Sequence, residues 1–275
     1  MDRGRLQLAV AAVAGVSALT GAFACGALDL GSDIIWSSDF ERGDFADWST
    51  PPDAGGVYTM TSDAEATEAA VQITSEEAHS GRFSAKLSSY ASLPDPGPVQ
   101  GGGGVFRQDV YPEEAYYSVW YYLPQAYVTT TPWIILKFKG VVGTDAGIVP
   151  GYAELLDLSL ESLPGGGMTL TLSDARHKYG SSPLPDPVPI VPIGQWFQVE
   201  SFYRNTTDPN GELAIWLNGT KIYDVVRPTG PNPMVYFSPC SVVYDLVPPQ
   251  AVLYIDDVAI SYSRIGTTAA IEGAH

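Results

Sequence analysis

From Leu156 to Glu161 the chain reads Leu-Asp-Leu-Ser-Leu-Glu, a strict alternation that sends three leucines one way and Asp157, Ser159 and Glu161 the other along an extended strand. Only a sheet with one face packed and one face wetted satisfies both sets. Eight further runs carry the same short period: Phe83–Leu87, Val105–Val110, Tyr116–Tyr122, Trp133–Phe138, Met168–Leu172, Trp196–Tyr203, Leu213–Leu217 and Val252–Ser261. No segment sustains a helical period; Asp63–Ala70 has room for one or two helical turns, and the acid-rich stretch to Glu77 reads as a loop or an extra strand. Asp208-Pro209-Asn210-Gly211 and Asn218-Gly219 supply the residues that hairpin turns need. With 28 Gly and 22 Pro as punctuation, the reading is an all-β fold, a two-sheet antiparallel jelly-roll sandwich over residues 34–265. Leu93–Gln100 with Gly101–Gly104, Pro164–Gly167 and Ser181–Pro192 read as loops over its rim.

Charge narrows the partners. The 275 residues carry 14 Lys+Arg against 31 Asp+Glu, a formal net charge of -17. Duplex nucleic acid is held by Lys and Arg on phosphates, so this balance argues against it as a partner. Arg3 and Arg5 precede an apolar run from Leu6 to Leu19 that closes on Ala22-Phe23-Ala24-Cys25, the pattern of an export signal over residues 1–24. The run is too short for a good membrane span. A cysteine at the cut points to an acylated Cys25, so that the only membrane attachment is a lipid anchor in the cell envelope; cleavage after Ala24 into a freely secreted chain is the alternative. Residues 25–33 then form a linker and 266–275 a flexible tail. The other cysteine, Cys240, has no Cys-x-x-Cys companion and reads as a small buried hydrophobe.

Phe40-Glu41-Arg42-Gly43 with Trp48, Ala78–Leu87, Tyr117–Pro124, Gly194–Gly219 and Tyr254–Val258 together resemble the concanavalin A-like lectin/glucanase superfamily, nearest to its heparin-lyase and alginate-lyase branch. The resemblance spans residues 36–263 and is one of strands and turns. It implies a polysaccharide partner. It also implies a structural calcium, with Glu41 near the first strand and Asp257 near the last as its ligands.

Lyase chemistry on a uronate needs a group that neutralises the carboxylate, a base for the C5 proton and an acid for the leaving oxygen. Alternation puts Lys137 and Lys139 on one strand face, and Arg107 with Asp109 on one face of another. Arg107, Lys137 and Lys139 are therefore expected to line one concave sheet. The resemblance implies His, Tyr or Lys as base and acid; His177 and Tyr179 in the loop Arg176–Gly180 are the candidates, with Arg107 and Lys137 completing the catalytic set. Among the family's strand motifs only the Arg strand has a fair counterpart. Hydrolysis would need two carboxylates about 5 to 5.5 Å apart in a retaining enzyme. Asp157 and Glu161, four positions apart on a strand, start roughly 13 Å apart. Binding asks less: Lys139 for charge, and Trp133, Tyr152, Trp216 and Tyr179 as faces for sugar rings. Three readings stand at this point: a polysaccharide-binding sandwich, a lyase acting by β-elimination, and a structural or adhesion module of the cell surface.

Overall fold

The computed structural model describes residues 33–48, 56–61, 70–90, 101–109, 111–142, 151–173, 182–229 and 234–267, with 61, 141–142, 151–155 and 234–235 described by backbone alone. Fourteen strands are seen among them: β1 (Ile34–Ser38), β2 (Gly56–Thr61), β3 (Ala70–Thr74), β4 (Ser84–Tyr90), β5 (Gly101–Gln108), β6 (Glu114–Tyr122), β7 (Trp133–Val142), β8 (Gly151–Ser162), β9 (Met168–Ser173), β10 (Trp196–Arg204), β11 (Glu212–Leu217), β12 (Thr220–Val226), β13 (Met234–Val243) and β14 (Gln250–Ser261). They pair antiparallel into two sheets. The larger, of eight strands, runs β12-β11-β10-β6-β14-β4-β3, with β1 pairing the second half of β14; the smaller, of six, runs β2-β5-β13-β7-β8-β9. This is the expected jelly-roll sandwich.

Alternation places the core between the sheets. Tyr117, Val119 and Tyr121 of β6, Phe197 and Val199 of β10, and Leu253 and Ile255 of β14 face Phe138 of β7, Phe237 of β13 and the leucines of β8 and β9. The Tyr121 hydroxyl donates to the Ile135 carbonyl at 3.0 Å, and that of Tyr223 donates to Leu170 at 3.0 Å, so both buried phenols also stitch one sheet to the other. All nine expected strands are present, and the hairpin at Asn218-Gly219 turns through positive φ at both residues, 47° and 77°.

One expectation needs correction. Gly101–Gly104 belong to β5 rather than to a rim loop. A Cβ on Gly104 would lie 2.6 Å from the Cys240 Cβ, and one on Gly103 2.8 Å from Val71 Cγ2, so glycine lets this strand lie close against its neighbours. Cys240 is buried in that contact as a free thiol, and its burial pushes its pKa up to about 12. The stretch before Glu77, open between loop and extra strand in the sequence, forms a strand at Ala70–Thr74; residues 63–69 lie outside the described residues. The segment after Ser181 is a strap along the edge strand β9: Ser182 N donates to Leu172, Val191 N to Met168, and Thr169 Oγ1 to Pro189. That backbone covers an edge that would otherwise pair with another chain.

Candidate functional site

β7 carries a register shift between Ile134 and Leu136. It lets Ile135 and Leu136 both enter the core and leaves Phe138 inward, so Lys137 and Lys139 project from the outer face of the six-stranded sheet. Cross-strand partners share a face, so the pairings build this surface row by row. One row runs Gln108 on β5, Tyr236 on β13 and Lys139 on β7. The next runs Ser238 on β13, Lys137 on β7, Asp157 on β8 and Ser173 on β9.

The rows differ in chemistry from one edge to the other. At the β2–β5–β13 side the rings of Tyr58, Phe106 and Tyr236 form a continuous aromatic strip, with centroids 5.9 Å apart for the first pair and 5.2 Å for the second. In the middle the Lys139 ammonium lies 5.3 Å from the Tyr236 ring, and Lys137 is only 8% exposed. Ser238 is buried among these groups, its Oγ donating to Val105 at 2.8 Å and lying 3.5 Å from the Tyr58 hydroxyl. On the β8–β9 side lie Asp157, Ser159, Glu161 and Thr171, with the Thr171 hydroxyl donating to Glu161 at 2.9 Å. Ser159 is fully buried, and its Oγ has no hydrogen-bond partner among the described residues.

Burial governs the acidities here. It raises Tyr236 to about 12, helped by Cys240 and opposed by the hydrogen bonds to Ser238 and Tyr58 and by the Lys137 charge. Burial lifts Tyr58 further, well above the ordinary phenol range. Both phenols hold their protons at neutral pH and are donors there.

Arg107 does not join the lysines. It pairs across β5–β13 with Phe237, a core residue, so it faces the space between the sheets; its guanidinium lies 5.2 Å from the Trp36 ring and bonds Asp109 at 2.6 Å. The strand alternates as expected, but its neighbours set which set of residues points outward, and that set is Phe106 and Gln108. Trp133 is a core residue whose Nε1 donates to Ser241 at 2.9 Å. Trp216 belongs to the other outer face, that of the eight-stranded sheet; it is 6% exposed and lies under Arg264 and Lys221, at 4.5 and 5.1 Å from its ring. Neither tryptophan can meet a sugar ring on the lysine face. Tyr152 lies in β8 and is described by backbone alone, while His177, Tyr179 and Cys25 lie outside the described residues.

Glu41 and Asp257 come to the same turn. Glu41 accepts from the Arg82 and Phe83 amides, both at 2.7 Å, and Asp257 accepts from the Ser80 hydroxyl at 2.9 Å and sits 2.5 Å from His79 Nδ1. Asp257 occupies a bulge in β14 with φ of 42°, which swings its carboxylate onto this turn. Its neighbour Asp256 is raised to about 8 by burial and by the Asp257 charge. Among the described residues no three His, Cys, Asp or Glu side chains gather in a way that could hold a metal ion.

The sequence reading missed the aromatic strip. β13 reads Met-Val-Tyr-Phe-Ser-Pro-Cys-Ser-Val-Val, and Pro239 hides a strand that tolerates it at a register shift. The alternation of Tyr236, Ser238 and Cys240 was the available signal.

No family model and no curated protein matches the chain. Solved structures match it in shape. An endo-β-1,4-glucuronan lyase from the fungus Trichoderma reesei superposes with a TM-score of 0.58 at 14% identity, covering 84% of this chain and 96% of that one. What the chain shares with it is the jelly-roll sandwich fold. The cellulose-induced protein Cip1 has a TM-score of 0.53 at 16% identity (84% and 99% covered), and alginate lyase vAL-1 from Chlorella virus 0.52 at 14% (84% and 100%). At such identities the kinship is one of fold, and the chemistry must come from the residues.

Proposed function

We propose that the chain acts on a uronate-containing polysaccharide on the outer face of its six-stranded sheet, cleaving it by β-elimination. The observation that carries this reading is the placement of Lys137, Lys139 and Tyr236 on one face, beside an aromatic strip. Lys139 neutralises the uronate carboxylate, which makes the C5 hydrogen acidic. Lys137, once it has given its own proton to solvent, takes the C5 proton; the C4–O bond breaks as the C4=C5 bond forms. The Tyr236 phenol gives its proton to the departing oxygen. The fold shared with glucuronan and alginate lyases supports the same reading.

A second reading is binding without cleavage. It is favoured by the position of Arg107, which leaves the face, among the described residues, without a guanidinium to clamp a carboxylate. Incubation with a panel of uronate polysaccharides separates the two. A rise in absorbance from the unsaturated product supports elimination; retention in affinity electrophoresis without product supports binding alone; neither outcome with any polymer overturns both.

Residues 1–24 support export and Cys25 a lipid anchor, which labelling of the expressed chain with a fatty-acid analogue, against a Cys25→Ser control, would report. A structural calcium at this turn would draw on the Glu41 and Asp257 carboxylates together with backbone oxygens, since the two side chains make no metal cluster by themselves. A Tm that rises with calcium and falls with chelator supports that part; an unmoved Tm removes it.

A further inference from the structure

The reading of the outer sheet face as a uronate site leaves open which polymer it suits, and the rows across that face constrain it. Neighbouring strands are about 4.8 Å apart, so an extended glycan crossing them meets a new strand with roughly each sugar. On β13 and β5 it meets the rings of Tyr236 and Phe106; on β7, Lys137 and Lys139; on β8, Asp157, Ser159 and Glu161; on β9, Thr171 and Ser173. Among the described residues, positive charge on this face is confined to the middle strand. One side is aromatic, which suits the apolar face of an uncharged ring. The other carries two carboxylates and a set of hydroxyls, including the buried Ser159 Oγ that lacks a partner among the described residues. A second uronate there would face Asp157 and Glu161, and like charges brought together cost affinity. The chain as a whole, at -17, repels a polymer that is charged at every residue.

We propose that the substrate is a heteroglycan in which a uronate is flanked by uncharged sugars, rather than a homopolyuronate. This rests on the uronate reading of the same face. It departs from the polymers named for the lyases of similar fold, because the carboxylates of β8 lie directly beside the lysines of β7: Asp157 is the cross-strand partner of Lys137. Lys139 recognises one carboxylate, the aromatic strip takes the uncharged ring on one side, and Asp157 and Glu161 take hydroxyls on the other.

The test compares alginate and glucuronan, charged at every residue, with hyaluronan and gellan, whose uronates are separated by uncharged sugars. Product absorbance and affinity electrophoresis are read for the full chain at low salt. Retention or rate at least tenfold greater on hyaluronan or gellan is the expected result. Equal or better performance on alginate or glucuronan overturns the inference and leaves the uronate reading standing; no retention and no product on any of the four overturns that reading as well. Glu161→Gln, a change at a half-buried strand position, is expected to raise the ratio of retention on alginate to retention on hyaluronan at least threefold. Asp157→Asn is the second variant, with the same direction expected. If neither shifts the ratio between the polymers, the carboxylates do not set the preference and the inference fails.

Discussion

The two outer faces of the sandwich are built from the same residue types and differ in what those residues do for one another. On the eight-stranded sheet the charges are tied into local contacts. Glu200, fully buried, accepts from the Arg264 guanidinium at 2.9 Å and the Ile265 amide at 2.7 Å, which folds the segment after β14 onto the sheet. Arg264 and Lys221 cover Trp216, Arg204 bonds Glu114 at 2.6 Å, and Lys86 bonds Glu76 at 2.5 Å. On the six-stranded sheet the lysines stand in a graded surface of rings, hydroxyls and carboxylates. A basic side chain in an acidic protein is therefore no indicator of a site by itself; the neighbours its strand register supplies decide whether it closes a structural contact or faces a ligand.

The largest expected effect tests the chemistry of the six-stranded face. Tyr236→Phe should lower the elimination rate by about 100-fold or more, since general acid catalysis is worth roughly that much, while affinity electrophoresis shows binding retained. The core offers a contrasting case of similar size in free energy. Trp133→Ala should destabilise by about 3 to 5 kcal/mol in denaturant unfolding, from the lost ring and the cavity left behind, and this is the outcome of a packing residue rather than of a sugar platform.

Next comes the Glu200 contact on the eight-stranded face. Glu200→Ala strips the Ile265 amide and the Arg264 guanidinium of their acceptor, and a loss of about 1 to 3 kcal/mol is expected with elimination unaffected. A loss of activity at unchanged stability would mean that the two faces are not separate in role.

A comparable loss, of about 2 kcal/mol, belongs to Asp245 at one end of the sandwich. Burial alone would raise this carboxyl, but hydrogen bonds from the hydroxyls and amides of Thr130 and Thr131 and the hydroxyl of Thr129 outweigh it and bring the pKa from 3.8 to about 2. Because the folded value lies below the unfolded one, the contribution is complete above the unfolded pKa and disappears as pH falls through about 4 to about 2. Asp245→Asn should therefore cost about 2 kcal/mol at pH 7, from a shift of nearly two units, and little at pH 2. A penalty that does not depend on pH would assign the effect to shape rather than charge.

The smallest effect sharpens the comparison most. Arg107→Ala should leave elimination unchanged and cost only about 0.5 to 1 kcal/mol of stability, through its contact with Trp36. A large fall in activity would bring Arg107 back into the site.

The strands of this protein are legible in the chain because alternation is a local property: Leu156 to Glu161 states its two faces without help from any partner. Turn residues such as Asn218-Gly219 are equally local. From these the two-sheet sandwich follows, and so does the pairing of Lys137 with Lys139 on one side of β7. Two places that the sequence misleads about carry a local contradiction, the glycines that open β5 and Pro239 in β13, and each is resolved only against a neighbouring strand. Alternation also fixes only which residues of one strand share a side. Whether that side is the core or the outside depends on register against other strands and on bulges, and a shift of one residue reverses it. Register placed Arg107 with Phe237, Trp133 with Ser241, and Tyr236 with the lysines. The sequence by itself determined the fold class and the residues available for chemistry; the tertiary pairing decided which of them share a surface, because that choice is made between strands far apart in the chain.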